Sequence, residues 1–190
     1  MAYSRARWQE KWRVERSARS IRERLGLDQF EVIDPWYLAD AVPAHVFYPE
    51  DLPIPAARCA ALRKVAWDGF GFTYEDEEML FVLLNSGRGL ERQAATLMEE
   101  LCHQILRHPP TKLVIDPATG LLRRDFNKAQ EDEAYDLGAT ILLPKELIQR
   151  EVNEGRSAAK IAADRGCSRP LVEYRIRRCR LWDRYLKLTG

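Results

Sequence analysis

Histidine is scarce in this chain, which has three histidines among its 190 residues: His45, His103 and His108. A metal centre with three imidazole ligands would need His45 in the same cleft as the other two. His45 is followed by Val46 and Phe47, a context typical of an ordinary strand or turn residue. The sequence therefore disfavours a three-histidine centre.

Cysteine pairs with metal-binding spacing are also missing. The chain has four cysteines, and no two of them stand in a C-x-x-C pattern. This spacing argues against a structural zinc knuckle and against a dithiol redox motif. We expect reduced cysteines that serve mainly in packing. They are Cys59, Cys102, Cys167 and Cys179.

Long apolar runs are absent as well. No segment approaches the roughly 18 consecutive apolar residues of a membrane-spanning helix, and the basic N-terminal segment lacks the apolar stretch of a signal peptide. A hydrophobic content of 46% is sufficient for a compact fold with a buried core. We expect a cytoplasmic protein with no membrane partner.

The formal net charge of +1 conceals a segregation of charge along the chain. Residues 1–27 carry eight Lys or Arg and three Glu, a net charge of +5, and residues 156–190 carry ten Lys or Arg and three acids, a net charge of +7. The residues between them therefore sum to −11. Basic ends indicate either a surface for an acidic partner such as nucleic acid or packing against the acidic body, and an acidic middle is typical of a metal cleft.

One stretch near the middle has the spacing of a metal-binding helix. Residues 96–103 read T-L-M-E-E-L-C-H, so Glu99 and His103 lie one turn apart on the same helix face and can hold one ion. The pattern is H-E-x-x-H with glutamate in the place of the first histidine. Its second residue, Glu100, stands where such helices carry the general base. The same spacing also occurs on solvated helix faces, so this motif needs a second element.

The flanking residues predict the ends of this helix. It should begin after Gly89 and end at Pro109 and Pro110, since proline cannot continue a helix. His108 follows His103 by five residues, which on a continuous helix leaves it about 140° around the axis. We expect His108 at the helix C-terminus, where a positive partner suits the helix dipole. Capping of the cleft or contact with substrate is the alternative.

A second helix is predicted over residues 129–143, with an apolar face and Pro144 after its end. Catalytic zinc commonly has three protein ligands and an open position for water, and the third ligand usually comes from a separate element. Glu133 lies within the first two turns of this helix. It is thus in a suitable place to complete a site begun by the first helix.

Together the two helices resemble the ImmA/IrrE metallopeptidase family. The family pattern is a helix with H-E-L-G-H and then a helix reading roughly E-A-N-x-F-A-A-x-L-L-x-P, to which "TLMEELCHQIL" and "EDEAYDLGATILLP" are similar. Glu133 and Ala134 match the E-A, and residues 142–144 fall on the L-L-x-P register. Weaker similarity lies in "RERLGL", "IDPWYLADAV" and "MLFVLLNSG", so that the resemblance spans about residues 17–185. It implies Glu99, His103 and Glu133 as metal ligands and Glu100 as the catalytic residue.

Three residues depart from the family pattern: Glu99 replaces histidine, Cys102 a common glycine, and Tyr135 a frequent asparagine. Ligation by two carboxylates and one imidazole would cancel the formal double charge of the ion. Such a site acidifies water less than a usual zinc site does. Oxygen-rich ligation also shifts preference from zinc toward manganese or iron, although the general affinity order still favours zinc.

The implied fold is α+β and minigluzincin-like, with a small antiparallel sheet packed on the metal-site helix. An N-terminal helix should end at Leu25 and Gly26, because apolar residues recur there at helical intervals. Strands are predicted over 62–66, 70–74 and 79–84, with the acidic residues 75–78 as a hairpin turn. We expect a metallopeptidase-like domain over residues 1–155 and a helix pair over 156–190 that packs on it.

The C-terminal helix pair offers a rival function. Helices are predicted over residues 157–164 and 170–181, with Gly166 in the turn and Ser168 as an N-cap. This outline resembles a DNA-binding helix-turn-helix, whose second helix enters the major groove. Family members carry a comparable pair within the protease body, so packing competes with DNA binding. The residues available for phosphate contacts would be Arg169, Arg175, Arg177, Arg178 and Arg180.

The function that the resemblance implies is a metal-dependent endopeptidase, whose protein substrate is expected to be a helix-turn-helix repressor. Glu100 would take the proton from the attacking water and pass it to the leaving amine. Two alternatives stay open. The chain is a catalytically inactive relative that works as a binding or sensing module, or it is a DNA-binding transcriptional regulator.

Overall fold

The computed structural model describes residues 2–73, 79–109, 113–115, 122–124 and 127–189, and the side chains of these except in 2–12, 113–115 and 122–124. The described strands are β1 Ala44–Phe47, β2 Gly69–Thr73, β3 Leu80–Leu84, β4 Leu113–Ile115 and β5 Leu122–Arg124. The described helices are α1 Ala2–Arg24, α2 Pro35–Ala41, α3 Ala56–Lys64, α4 Leu90–Ile105, α5 Lys128–Leu142, α6 Lys145–Asn153, α7 Ala158–Arg165, α8 Arg169–Arg178 and α9 Trp182–Thr189. The predicted α+β class is confirmed.

Internal contacts divide the chain into two units. The first comprises residues 1–34 and 136–190, and the second comprises residues 35–135. The division falls within α5. The sequence-based boundary at residue 155 stays a prediction. In the part of the chain that the structure describes, no helix is both long and apolar enough to span a bilayer.

The second unit is built on a mixed three-stranded sheet with the order β1-β3-β2. The central strand β3 pairs antiparallel with β2, in the register Gly71 to Val82, and parallel with β1. The predicted antiparallel pairing is therefore confirmed for β2 and β3, whereas β1 was not foreseen and makes the sheet mixed. The acidic turn predicted at 75–78 lies outside the described residues.

The strand predicted over 62–66 is wrong, because residues 62–64 complete α3. This helix reads A-A-R-C-A-A-L-R-K. Alanine, leucine, arginine and lysine are all strong helix formers. Their propensity outweighs the short apolar pattern that suggested a strand, and no residue of α3 is buried deeply enough to demand a sheet.

Helix α4 supplies most of the candidate site. It begins after Gly89, as predicted, and packs against β2, β3 and α2. Its buried residues Leu97, Met98, Leu101 and Cys102 form one apolar stripe. The helix ends at Ile105, one turn before the predicted proline stop, and Arg107 then adopts a left-handed conformation with φ of 54°.

The first unit holds the described C-terminal helices around an apolar core. Buried members of this core include Leu147 and Val152 of α6, Ile161 of α7 and Ile176 of α8. The end of α1 is fixed by the fully buried Arg22, whose guanidinium donates to the backbone carbonyls of residues 28, 31 and 141. The N-terminal helix predicted to Leu25 is thus confirmed, and Gly26 follows it with φ of 71°.

The C-terminal helix pair forms α7 and α8. Ser157 caps α7 and Ser168 caps α8 through side-chain oxygens, and Gly166 turns the chain between them with φ of 61°. The predicted Ser168 cap and the turn at Gly166 are confirmed, whereas Ser157, predicted as the first helical residue, is itself an N-cap. The second helix is shorter than predicted, since α8 ends at Arg178. The pair is flanked by α6 and α9, two helices that were not predicted.

Candidate metal centre

Helix α4 and the first turns of α5, which lie in the second unit, bring the candidate ligands together. Helix α4 carries Glu99 and His103 one turn apart, and the first turns of α5 carry Glu131 and Glu133. Glu99, His103 and Glu131 each offer a ligand atom such that all three atoms lie within 4.8 Å of one another. Each of these side chains is partly buried. The predicted pairing of Glu99 with His103 is therefore geometrically sound.

The second carboxylate of this cluster is Glu131 rather than Glu133. The Oε2 atom of Glu131 lies 3.4 Å from Nε2 of His103, whereas Oε2 of Glu133 lies 3.3 Å from Nε2 of His108. Two residues along a helix point about 200° apart, so the two glutamates face different partners. Ligation by Glu133 stays a prediction. The signal for Glu131 was present in the acidic run at 131–133, but the family register drew attention to its last residue.

His108 lies beside His103, a contact that the sequence pattern did not predict. Their Nδ1 atoms are 2.9 Å apart, and the two rings meet edge to face with centroids 5.0 Å apart. A continuous helix would have separated them. Because the helix ends early and Arg107 is left-handed, the backbone N–H of His108 returns to donate to the carbonyl of His103 at 3.0 Å. This is the bond pattern of a Schellman-type helix end.

Glu100 faces a cleft next to the cluster. The cleft has a volume of about 140 Å³ and is lined by residues 71–73 of β2 together with Glu100, His103, His108 and Glu131. At Gly71 the backbone of β2 comes so close to α4 that an added Cβ would lie 2.7 Å from Oε2 of Glu100. The backbone of β2 and the carboxylate of Glu100 thus line the same cleft.

Negative charge at Glu99 shapes the electrostatics around the cluster. The pKa of the Cys102 thiol is raised mainly by complete burial and additionally by the Glu99 carboxylate. The pKa of Tyr135 is raised by the same two causes in the same order. Cys102 is fully buried on the apolar side of α4, so it lies with the core and not with the ligand atoms. A cation near Glu99 would offset the negative charge that contributes to the raised pKa of Cys102 and of Tyr135.

The donor set fits a divalent transition metal. Two carboxylates and one imidazole are ligand types that zinc, manganese and iron accept. Bonds of about 2.1 Å would place two ligand atoms at most about 4.2 Å apart, so the cluster, within 4.8 Å, needs only small side-chain movements to close on one ion. Among the residues that the structure describes, this is the group of acids and histidine with such spacing.

The C-terminal arginines make mostly internal contacts within the first unit. Arg175 is 1% exposed, donates to the carbonyl of Leu143 and pairs with Glu15. Arg178 binds both carboxylate oxygens of Asp136. These two arginines, which the DNA-binding hypothesis would aim at phosphates, instead hold α8 in place.

Arg169 and Arg177 occupy the more exposed side of the same helix. Both pair with Glu173, at 2.8 and 3.5 Å. Surface pairs of this kind, spaced by four residues on a helix, are weak and leave the charge accessible. The basic face of α8 is thus smaller than the sequence suggested.

Residues 59–177 match a protein-family model described as the IrrE N-terminal-like domain, Peptidase_M78. The match covers 119 of the 190 residues and includes β2, β3, α4, α5 and the candidate ligands. No curated protein and no solved structure matches the chain significantly.

Proposed function

Because the chain belongs to the IrrE N-terminal-like domain family of metallopeptidases, we propose that it is a metal-dependent endopeptidase. The observation that carries the proposal is the cluster of Glu99, His103 and Glu131 with ligand atoms within 4.8 Å, beside a cleft that Glu100 lines. The α+β architecture with its small sheet is consistent with a minigluzincin-like domain.

Residues of α4 and α5 would hold the ion. Glu99 and His103 provide two ligands, and the third comes from the acidic first turns of α5, where Glu131 lies within reach and Glu133 is the residue that the family pattern favours. When bound, a divalent ion supplies Lewis-acid chemistry, polarising the scissile carbonyl. Zinc is the expected ion, with manganese or iron favoured more than usual by the two carboxylates.

Glu100 carries the proton in this proposal. Its carboxylate takes a proton from the water that attacks the scissile carbonyl, and it then delivers that proton to the departing amine nitrogen. The helix fixes Glu100 next to Glu99 while turning its side chain toward the cleft. Contact with Gly71 limits where the carboxylate can lie, which favours one reactive position.

Strand β2 is the natural place for an extended substrate. Among the described strands it stands at one end of the order β1-β3-β2, and its residues 71–73 line the cleft. A peptide that adds a strand along such an edge gains backbone hydrogen bonds that do not depend on its side chains. The protein substrate that we propose is a helix-turn-helix repressor with an extended segment that can lie along β2.

The Glu100→Gln variant tests the proposal most directly. It keeps the size of the side chain and removes its basicity, so peptide cleavage should fall at least about 100-fold. Bound zinc, measured by elemental analysis after dialysis, should stay within about twofold, because Glu100 is not a ligand. The matched control is Glu91→Gln in the first turn of the same helix, which should retain activity. Undiminished cleavage by Glu100→Gln would refute the role of Glu100.

Metal content separates the peptidase from an inactive relative. A binding or sensing module without catalysis is the alternative that Glu99 motivates, since a single imidazole holds zinc less well than two. Stoichiometric metal together with Glu100-dependent cleavage supports the enzyme. Protein that binds a repressor segment equally well with and without metal, and cleaves nothing, supports the module.

DNA binding is the second alternative and has its own test. Retention on DNA-cellulose at low salt, with loss as salt rises, is the expected behaviour of a regulator. Arg169→Ala combined with Arg177→Ala should abolish such retention if α8 contacts phosphates. Arg175 donates to the carbonyl of Leu143 and Arg178 donates to Asp136, so neither is available for phosphate. We therefore expect no retention near physiological salt.

A further inference from the structure

The side chain of His108 lies between a candidate ligand and a glutamate. Its Nδ1 is 2.9 Å from Nδ1 of His103, and its Nε2 is 3.3 Å from Oε2 of Glu133. Only 9% of the side chain is exposed. Both ring nitrogens of His108 therefore face specific polar atoms.

The backbone holds His108 in this position. The left-handed Arg107 turns the chain back after α4, and the N–H of His108 donates to the carbonyl of His103. The following Pro109 restricts His108 to extended conformations. The ring is therefore placed by a defined helix end rather than by a loose loop.

Hydrogen-bond geometry limits which tautomers the two rings can adopt together. A neutral imidazole has one N–H donor and one acceptor nitrogen. Glu133 accepts, so a neutral His108 makes both of its contacts as hydrogen bonds only when Nε2 carries the proton and Nδ1 accepts. His103 must then donate from Nδ1, which leaves the lone pair of its Nε2 directed at the side where Glu131 lies 3.4 Å away.

We propose that His108 is a positioning residue of the metal centre, in which Glu133 accepts a hydrogen bond from His108, His108 accepts one from Nδ1 of His103, and His103 binds the ion through Nε2. This inference rests on the proposed function, because it needs an ion at the cluster. It assigns the third ligand to Glu131 and gives Glu133 a supporting place.

The arrangement matters more here than in a site with two imidazoles. Histidines that bind metals usually donate from their second nitrogen to an oriented acceptor, and loss of that acceptor costs about 10- to 100-fold in metal affinity. With Glu99 in the first ligand position, His103 is the sole imidazole of the cluster. Its orientation therefore decides whether nitrogen ligation occurs at all.

Zinc titration of four variants tests the hydrogen-bond chain. His108→Phe keeps a planar ring and removes the acceptor, so the zinc Kd of the whole protein should rise about tenfold or more. His108→Asn offers an amide oxygen near the place of Nδ1 and should recover most of that loss. Glu133→Gln keeps an acceptor for His108 and should change Kd by less than about threefold, whereas Glu131→Gln removes a ligand charge and should raise Kd at least about 30-fold.

Nitrogen NMR on ¹⁵N-histidine-labelled, zinc-loaded protein gives a readout that packing alone does not move. The Nε2 resonance of His103 should show metal coordination. Its Nδ1 should carry a proton that exchanges slowly with water and couples to His108. In His108→Phe this proton should exchange much faster, while circular dichroism verifies that the variant remains folded.

Several results would overturn the inference. They are metal coordination at Nδ1 of His103, coordination by His108 itself, a larger loss in Glu133→Gln than in Glu131→Gln, an unchanged Kd in His108→Phe, or no zinc binding by the natural chain. The proposed function is judged separately by cleavage. A chain that cleaves peptide but binds zinc through the other nitrogen refutes only the inference, and a chain with the predicted zinc coordination but no cleavage refutes only the enzyme.

Discussion

At the residue scale, Glu99 changes the character of the centre by placing a carboxylate where a second imidazole would make a standard zinc helix. The carboxylate balances more of the ion's charge and prefers harder metals. Its own charge already raises the pKa of Cys102 and of Tyr135, after the larger effect of burial. Under the proposed function, residue 99 should therefore influence both the choice of metal and the strength of its binding.

Substitution of Glu99 by histidine should restore nitrogen-rich ligation. We expect Glu99→His to bind zinc about tenfold more tightly than the natural chain and to bind manganese more weakly. Competition with a chromophoric chelator measures both affinities. Glu99→Gln is the control, because it removes the charge without adding a nitrogen, and it should bind zinc more weakly. Equal zinc affinities in Glu99→His and Glu99→Gln would show that residue 99 does not ligate.

Alanine substitutions at Gly71 and Gly69 of β2 should separate an effect on catalysis from an effect on stability. A Cβ at residue 71 would meet Oε2 of Glu100 at 2.7 Å, and this flexible carboxylate can swing away. Gly71→Ala should therefore lower kcat for peptide cleavage by about 10- to 100-fold, because small displacements of a reacting group are costly. Its melting temperature should change little.

The control variant Gly69→Ala should behave in the opposite way. A Cβ there would lie 2.9 Å from the backbone carbonyl of Leu83 and equally close to Leu84 and Thr96 side chains. The backbone cannot yield, so overpacking should cost about 1–3 kcal/mol in the free energy of unfolding, measured by urea titration. A Gly71→Ala variant that unfolds as easily as Gly69→Ala, with unchanged kcat, would contradict the assignment of Glu100.

The sequence allowed some site residues to be predicted and not others. The proximity of Glu99 and His103 follows from helical periodicity, because four residues make about one turn. His108 could not be placed, since its position depends on a left-handed Arg107, and this conformation is uncommon for residues other than glycine. The proximity of Glu131 to His103 was not predicted, because which glutamate of α5 faces His103 depends on the rotation of that helix about its axis.

At the scale of elements, local patterns predicted α1, α4, α5 and the Ser168 cap of α8 correctly. Each of these signals is local, since it depends on residues within one or two turns. The parallel pairing of β1 with β3 joins residues 44–47 to residues 80–83, and no local pattern marks such a distant partner. Helix α3 was missed because its last residues, 62–64, were assigned to a strand over 62–66.

The hydrogen bond between Tyr174 of α8 and Asp136 of α5 should contribute to stability in a pH-dependent way. The hydroxyl of Tyr174 donates to Oδ1 of Asp136 at 2.9 Å, and Arg178 binds the same carboxylate. Burial, followed by the negative charge of Asp136, raises the pKa of Tyr174. In the unfolded chain the pKa of a tyrosine is about 10.

Tyr174→Phe should reveal this contribution. At pH 7 the variant should lose about 1–2 kcal/mol of unfolding free energy, the usual cost of a hydrogen bond to a charged acceptor. A raised folded-state pKa gives stability that is complete below about pH 10 and is lost as pH rises further, because the unfolded phenol ionises first. The gap between the natural chain and Tyr174→Phe should therefore narrow above about pH 10.

Urea unfolding at pH 7, 9 and 10.5 measures that gap. Tyr37→Phe, at a tyrosine that is 49% exposed, controls for the loss of a tyrosine hydroxyl in general. A gap between the natural chain and Tyr174→Phe that stays constant across the three pH values would show that the phenol of Tyr174 titrates alike in both states.

At the scale of the whole molecule, the two units that the internal contacts define carry net charges of opposite sign. The first unit carries 20 Lys and Arg against 13 Asp and Glu, a net charge of +7, and the second carries 10 against 16, a net charge of −6. The basic ends of the chain already indicated this segregation. What could not be foreseen is that both ends belong to one unit and that the candidate centre belongs entirely to the acidic one.

The acidic unit should select peptide substrates by charge. A negative potential around a cleft attracts cationic ligands and raises their encounter rate. Under the proposed function, a peptide flanked by lysines should therefore show a kcat/KM about tenfold above that of the same peptide flanked by glutamates, at low ionic strength. Raising salt shortens the screening length from about 10 Å at 0.1 M to about 3 Å at 1 M, so the difference should shrink. A serine-flanked peptide serves as the control and should change little with salt. Faster cleavage of the glutamate-flanked peptide at low salt would mean that the bound ion, rather than the net charge of −6, sets the potential that a substrate meets.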